Sequence, residues 1–149
     1  RGCRDIAYQL VHEPVVAPDV AMGGGSRHFF GADRLGQRRN AADDLVRDWL
    51  AGDEDRRYVS AAEQLDDLEA GQQVLGLFAP SHMTYMVEKA PDSTEPTLTQ
   101  MTTTAVRLLD ANENGFFLLV EGGNHGINNL SYRWVPYARD WLVRNVITS

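Results

Sequence analysis

The sequence predicts an α/β fold, a mostly parallel β-sheet flanked by helices. Two observations carry that prediction. Segments with helical and strand patterning alternate along the chain, which implies βαβ units. Residues 116–120, Phe-Phe-Leu-Leu-Val, form an uninterrupted apolar run, the pattern of a strand buried on both faces of a parallel sheet. The chain has 149 residues, 43% of them hydrophobic and 23% charged, an ordinary composition for one globular domain.

The elements follow in order. Residues 3–12 place Ile6, Ala7, Leu10 and Val11 on one helical face, with Asp5 near the positive end of the dipole. Glu13-Pro14 ends that helix, because the residue before proline is pushed out of helical space. Residues 18–22 read as a short apolar strand, stopped by Gly23-Gly24-Gly25, and residues 30–40 as a polar, arginine-rich surface loop. Residues 43–51 read as a helix burying Leu45 and Trp49, and Tyr58-Val59 as a very short strand. Ser60 caps a further helix, with Glu63 three residues on completing a capping box. Residues 74–78 are an apolar strand closed by Ala79-Pro80. Thr94 caps the clearest helix, residues 96–109, whose core stripe is Leu98, Met101, Ala105, Leu108 and Leu109, with Thr102 and Arg107 facing out. Asn114-Gly115 stops it and the apolar run 116–120 follows.

Composition excludes several function classes. No apolar run approaches the roughly 18 residues of a membrane span. A net charge of −7 and a single lysine, Lys89, argue against binding nucleic acid through phosphate neutralisation. One cysteine, Cys3, excludes an internal disulfide and multi-cysteine zinc patterns. Residues 1–123 carry 11 basic and 20 acidic groups, whereas residues 124–149 carry three arginines against Asp140. That shift, after a glycine pair, marks a boundary between residues 1–123 and a basic, aromatic tail.

Glu121 is the most informative candidate for chemistry. A carboxylate ending a buried parallel strand stands at the carboxyl edge of the sheet, where α/β folds place ligands. It needs a cation, a metal or a donor set, and its hard oxygen suits Mg²⁺ or Ca²⁺; the alternative is a solvated strand-end carboxylate. The glycine triplet 23–25 matches neither a dinucleotide fingerprint nor a P-loop, and reads better as a tight turn than as a phosphate cradle. His12, His28, His82 and His125 form no metal-ligand spacing, and no Gly-x-Ser-x-Gly nucleophile motif occurs.

Several strings together resemble the middle of animal alkaline phosphatases. These are residues 2–10 (GCRDIAYQL), 22–25 (MGGG), 75–78 (LGLF), 95–102 (EPTLTQMT) and 115–123 (GFFLLVEGG), in the family's order. The resemblance covers residues 1–123. It implies a large parallel sheet flanked by helices, a homodimer, and hydrolysis of phosphate monoesters through a phosphoserine intermediate assisted by two Zn²⁺ and a Mg²⁺. It implies that Glu121 ligates magnesium. The family's next motif brings an aspartate and a histidine to zinc, but here residues 124–129 read Asn-His-Gly-Ile-Asn-Asn. The serine nucleophile and zinc ligands therefore fall outside this chain, so no catalytic residue is assigned in it. A calcium site of animal members maps only partly, with Phe78 as a backbone donor, Glu95 in place of an aspartate, and Ala79 where a glutamate is expected. By the same resemblance Cys3 has its disulfide partner upstream, and the protein is extracellular or cell-surface and lipid-anchored, although no targeting signal lies within the chain.

The expectation is an incomplete alkaline-phosphatase-like domain over residues 1–123 that is inactive alone, followed by a divergent tail over residues 124–149. The alternative is a non-enzymatic binding or decoy module from a truncated gene product. A sheet cut at both ends would also carry unpaired, aggregation-prone edges.

Overall fold

The computed structural model describes residues 4–13 and 17–121. The chain divides into two units, Arg1–Leu118 and Leu119–Ser149, and every helix and strand described below lies in the first. Cys3, His125 and the tail 124–149 lie outside the described residues.

Three strands make the sheet: β1 (Val20–Gly24), β2 (Arg56–Val59) and β3 (Gln73–Ala79). Both neighbours run parallel to β3, and the order is β1-β3-β2. Leu75 thus aligns with Ala21 on one side and Tyr58 on the other. The central strand is buried from Val74 to its end, as parallel strands covered on both faces must be. Helices α1 (Ile6–His12) and α2 (Leu45–Leu50) cover one face. There Leu75 and Leu77 join Ala7, Val11, Phe29, Phe30, Leu45, Val46 and Trp49 in one core. Val74 and Phe78 point the other way, into a second core with Val59, Leu65, Leu68 and Leu108 of α3 (Leu98–Leu109). The α/β class and parallel sheet stand as read from the sequence.

Local chemistry fixes the helix starts. Asp5 Oδ1 accepts the Tyr8 N–H at 3.0 Å and Asp44 Oδ1 accepts the Arg47 N–H at 2.9 Å. Each satisfies an amide that the first turn leaves without a partner. Helix α3 begins at Thr97, not Thr94. Thr97 Oγ1 accepts from the Gln100 N–H at 3.1 Å, while Gln100 Oε1 accepts from the Thr97 N–H at 2.8 Å, so the reciprocal Thr-x-x-Gln box wins.

Four further expectations change. After Ser60 the chain makes only a 3₁₀ turn, Ala62–Leu65. Its start is held by Gln64, whose Oε1 accepts the N–H groups of Ser60 (2.7 Å) and Ala61 (3.0 Å), rather than by Glu63. Gly23 and Gly24 belong to β1 instead of stopping it, because backbone pairing to β3 needs no side chain. Arg107 does not simply face solvent: it donates to the Leu65 carbonyl at 2.8 Å and to the Leu68 carbonyl, tying α3 to the turn before β3. Residues 116–120 form no strand, and Phe116, Leu119 and Val120 expose 43%, 65% and 44% of their surface. A strand exists through pairing with a neighbour, and the described sheet does not include this segment.

Candidate functional site

The carboxyl ends of β1 and β3 are where a parallel sheet presents its ligand groups. At the end of β1, Gly25 adopts the left-handed conformation (φ 90°), and its N–H donates to the Ser81 carbonyl at 2.7 Å. The Arg27 N–H donates to Pro80 O and the His28 N–H to Gly25 O. These amides are spent on the protein's own carbonyls, so the glycine-rich segment is a tight turn that locks the exit of β1 to that of β3. A Cβ on Gly24 would stand 2.0 Å from the Ser81 oxygen, so only glycine permits this approach.

Phe78 occupies a register irregularity. Gly23 aligns with Leu77 and Gly24 with Ala79, which leaves Phe78 as the residue that the β1 ladder skips. The β2 ladder ends earlier, at Gly76. Its ring is buried in the second core and packs close to Gly76, so any ligand role would fall to its backbone carbonyl.

Glu95 is already engaged. Its Oε2 accepts the Thr84 N–H at 2.8 Å and its Oε1 the Thr84 hydroxyl at 3.0 Å. Lys89 Nζ donates to the carbonyls of Glu95 (3.1 Å) and Pro96 (2.8 Å). Together these close the loop that leads to α3. Both Glu95 carboxylate oxygens thus accept hydrogen bonds from Thr84 within its own loop. Among the described residues no group of three or more His, Cys, Asp and Glu side chains is arranged to hold a metal. Glu121 is exposed, so its carboxylate is available as one hard oxygen donor.

An arginine clamp flanks the site. Arg38 Nη1 pairs with Asp5 Oδ1 and donates to the His28 carbonyl, while its Nε pairs with Asp43 Oδ2; the ion pairs are 3.1 Å and the carbonyl bond 3.0 Å. One side chain therefore joins the start of α1, the turn after β1 and the approach to α2. Burial pushes the Asp5 carboxyl up, but hydrogen bonds from Arg38 and the Tyr8 amide, with the arginine's charge, outweigh it and hold it below the usual carboxylate range. Asp44 behaves alike: burial raises it, yet the Arg47 amide and Arg34, at 2.6 Å, bring it below its ordinary value. From the sequence this arginine-rich stretch reads as plain surface loop. The available signal is the run of arginines at 34, 38 and 39 flanked by Asp33 on one side and Asp43 and Asp44 on the other.

The clamp borders a groove of about 1000 Å³ along β1, lined by Ala21, Met22, Gly23, Leu75 and Leu77 and by Ile6 from α1. None of Phe78, Glu95 and Glu121 lines this groove.

A sequence profile of the family described as Alkaline phosphatase matches residues 1–129. The chain belongs to the alkaline phosphatase family. The alkaline phosphatase of Gadus morhua is 34% identical over 141 residues, covering 84% of this chain and 29% of that protein. The membrane-bound alkaline phosphatase of Bombyx mori is 38% identical over 136 residues, covering 81% of this chain and 24% of its own. The crystal structure of a cold-active alkaline phosphatase from a psychrophilic Shewanella superposes with a TM-score of 0.53 at 33% identity, over 71% of this chain and 22% of that one. The chain thus spans less than a third of the alkaline phosphatases it resembles.

Proposed function

We propose that this chain is the sheet-forming middle of a phosphomonoesterase, and that it does not hydrolyse phosphate esters by itself. The family match over residues 1–129 supports the phosphomonoesterase part of this reading, and the match to less than a third of each relative supports the inactivity of the chain alone. Hydrolysis of a dianionic ester needs its charge neutralised, which clustered divalent cations supply in metallophosphatases. The contribution of this chain is positional. The Gly24–Ser81 approach and the Gly25 turn fix the carboxyl ends of two adjacent parallel strands. Arg38 holds the adjoining loop against α1. Glu121 is the residue that would hold Mg²⁺, and zinc would be held by residues outside this chain. Glu95, bonded to Thr84, keeps its loop closed rather than serving calcium.

In the longer protein, phosphate monoesters are the substrates, the assembly is a homodimer, and the location is the cell surface, in keeping with the membrane-bound Bombyx mori relative. Purified chain supplied with Zn²⁺ and Mg²⁺ is expected to release no p-nitrophenol from p-nitrophenyl phosphate above a protein-free control. Turnover that disappears in Glu121→Ala would overturn the reading that this segment is inactive alone.

A further inference from the structure

Among the described residues, every arginine but one, and the single lysine, bonds to a carboxylate, a carbonyl or, for Arg27, an imidazole. The exception is Arg39, which is exposed and makes no hydrogen bond, ion pair or ring contact there. The peptide bond that follows it is equally uncommitted, for neither the Arg39 carbonyl nor the Asn40 N–H has a partner among the described residues. Residues 39–42, Arg-Asn-Ala-Ala, are all exposed. Three hydrogen bonds hold this stretch, from the Asp43 N–H to Asn40 O (3.1 Å), the Asp33 N–H to Ala41 O (3.2 Å) and the Ala42 N–H to Asn40 Oδ1 (3.3 Å). All three lie at the long end of the normal range. Both flanks are fixed, by the Arg38 clamp upstream and downstream by the Asp43 carbonyl, which accepts the Gly31 N–H at 2.7 Å. Exposed loop segments of small and polar residues are where folded chains are nicked.

A trypsin-like serine protease holds a guanidinium on a carboxylate in its specificity pocket and attacks the carbonyl carbon that follows. It needs a free cation, a free carbonyl and a backbone outside regular structure. Arg47 and Arg107 lie in helices and Arg56 and Arg57 in a strand, whereas Arg39 meets all three needs. We propose that the Arg39–Asn40 bond is a site of limited proteolysis by a trypsin-like protease, and that the two pieces stay together after the cut. One water is consumed: the C–N bond breaks, Arg39 gains a carboxylate and Asn40 an α-ammonium group. The clamp withholds Arg38, whose side chain is 13% exposed, so the cut falls after the second arginine of the pair. Strand β1 on one piece still pairs with β3 on the other, and Phe29 and Phe30 share a core with Leu45 and Trp49 across the nick. The Arg38–Asp43 ion pair spans it as well. This proposal is independent of the phosphatase reading.

Brief digestion of the full chain with dilute trypsin, read by mass spectrometry after denaturation, tests it. Among cuts within residues 4–121, the one after Arg39 should come first. Arg39→Gln should slow that cut by about 100-fold or more, because the carboxylate of the protease pocket is left unpaired. Arg39→Lys keeps a cation for the pocket and should keep the cut. Circular dichroism should be the same for both variants and wild type, since the Arg39 side chain bonds to nothing in the described fold. In size exclusion, the fragment ending at Arg39 should co-elute with the remainder in buffer and separate from it in urea. An earlier cut elsewhere within residues 4–121, a fragment ending at Arg38 in its place, an Arg39→Gln chain cut there as fast as wild type, or release of the fragment in buffer would overturn the proposal.

Discussion

Trp49→Ala should be the most destabilising single substitution in the described core, costing about 3–5 kcal/mol. Trp49 is 1% exposed and joins α1, α2 and β3 in the first core. The Arg56 guanidinium lies 4.2 Å above its ring and donates to its carbonyl at 3.2 Å, so truncation also strips the packing from a charged group on β2. Trp49→Phe keeps one aromatic ring in the core and removes the indole N–H. The indole Nε1 is buried with no acceptor among the described residues, and phenylalanine removes that orphaned donor. The phenylalanine variant should therefore cost less than the alanine variant, about 1–3 kcal/mol, because it leaves a smaller cavity and no orphaned donor. Urea midpoints of the three proteins decide this. Equal midpoints for the alanine variant and wild type would show that Trp49 is not a core residue.

Gly24→Ala should rank next, and it bears directly on the site. The added carbon would stand 2.0 Å from the Ser81 carbonyl oxygen, which is the acceptor for the Gly25 N–H. Backbone, not a flexible side chain, would have to move. A cost of about 1–3 kcal/mol is expected from the overpacking alone, with loss of the turn adding to it. Gly23→Ala, one residue earlier, meets open space and should change stability by less than about 0.5 kcal/mol. Thermal denaturation of the two variants side by side isolates the geometry from the general effect of replacing glycine. If both behave alike, the close approach between the ends of β1 and β3 is not what the glycine serves.

Much of this architecture is legible in local chemistry. Asp5 begins the first helix and Glu13 ends it, as dipole and proline arguments require. Val74 to Phe78 reads as a buried strand and is the centre of the sheet. Misreadings arose where two local signals compete or where pairing decides. Both Thr94 and Thr97 can cap a helix, and only Thr97 has a glutamine at the position that returns the bond. Ser60 and Glu63 match a capping box by spacing, but Gln64 takes both amides. Residues 116–120 have every local property of a strand, and strand formation is settled by a neighbour that local sequence does not specify.

The site was legible to a lesser degree. Glu121 stood out because a carboxylate after an apolar run is chemically conspicuous. Glu95 looked like a ligand by position, and its bonds to Thr84 depend on a loop closure spanning residues 84–95 that no short motif encodes. The Arg38 clamp joins residues 5, 28 and 43, a separation that periodicity does not reach.

A chimera gives the most direct test of the claim that this segment is a working alkaline phosphatase scaffold carrying one metal carboxylate. Residues 1–121 would replace the matching segment of the Gadus morhua relative. The chimera is expected to hydrolyse p-nitrophenyl phosphate, and Glu121→Ala within it to lower the rate by about 10–100-fold or more, with added Mg²⁺ restoring part of the loss. A folded chimera with no hydrolysis, or one in which Glu121→Ala changes neither rate nor magnesium response, would contradict it.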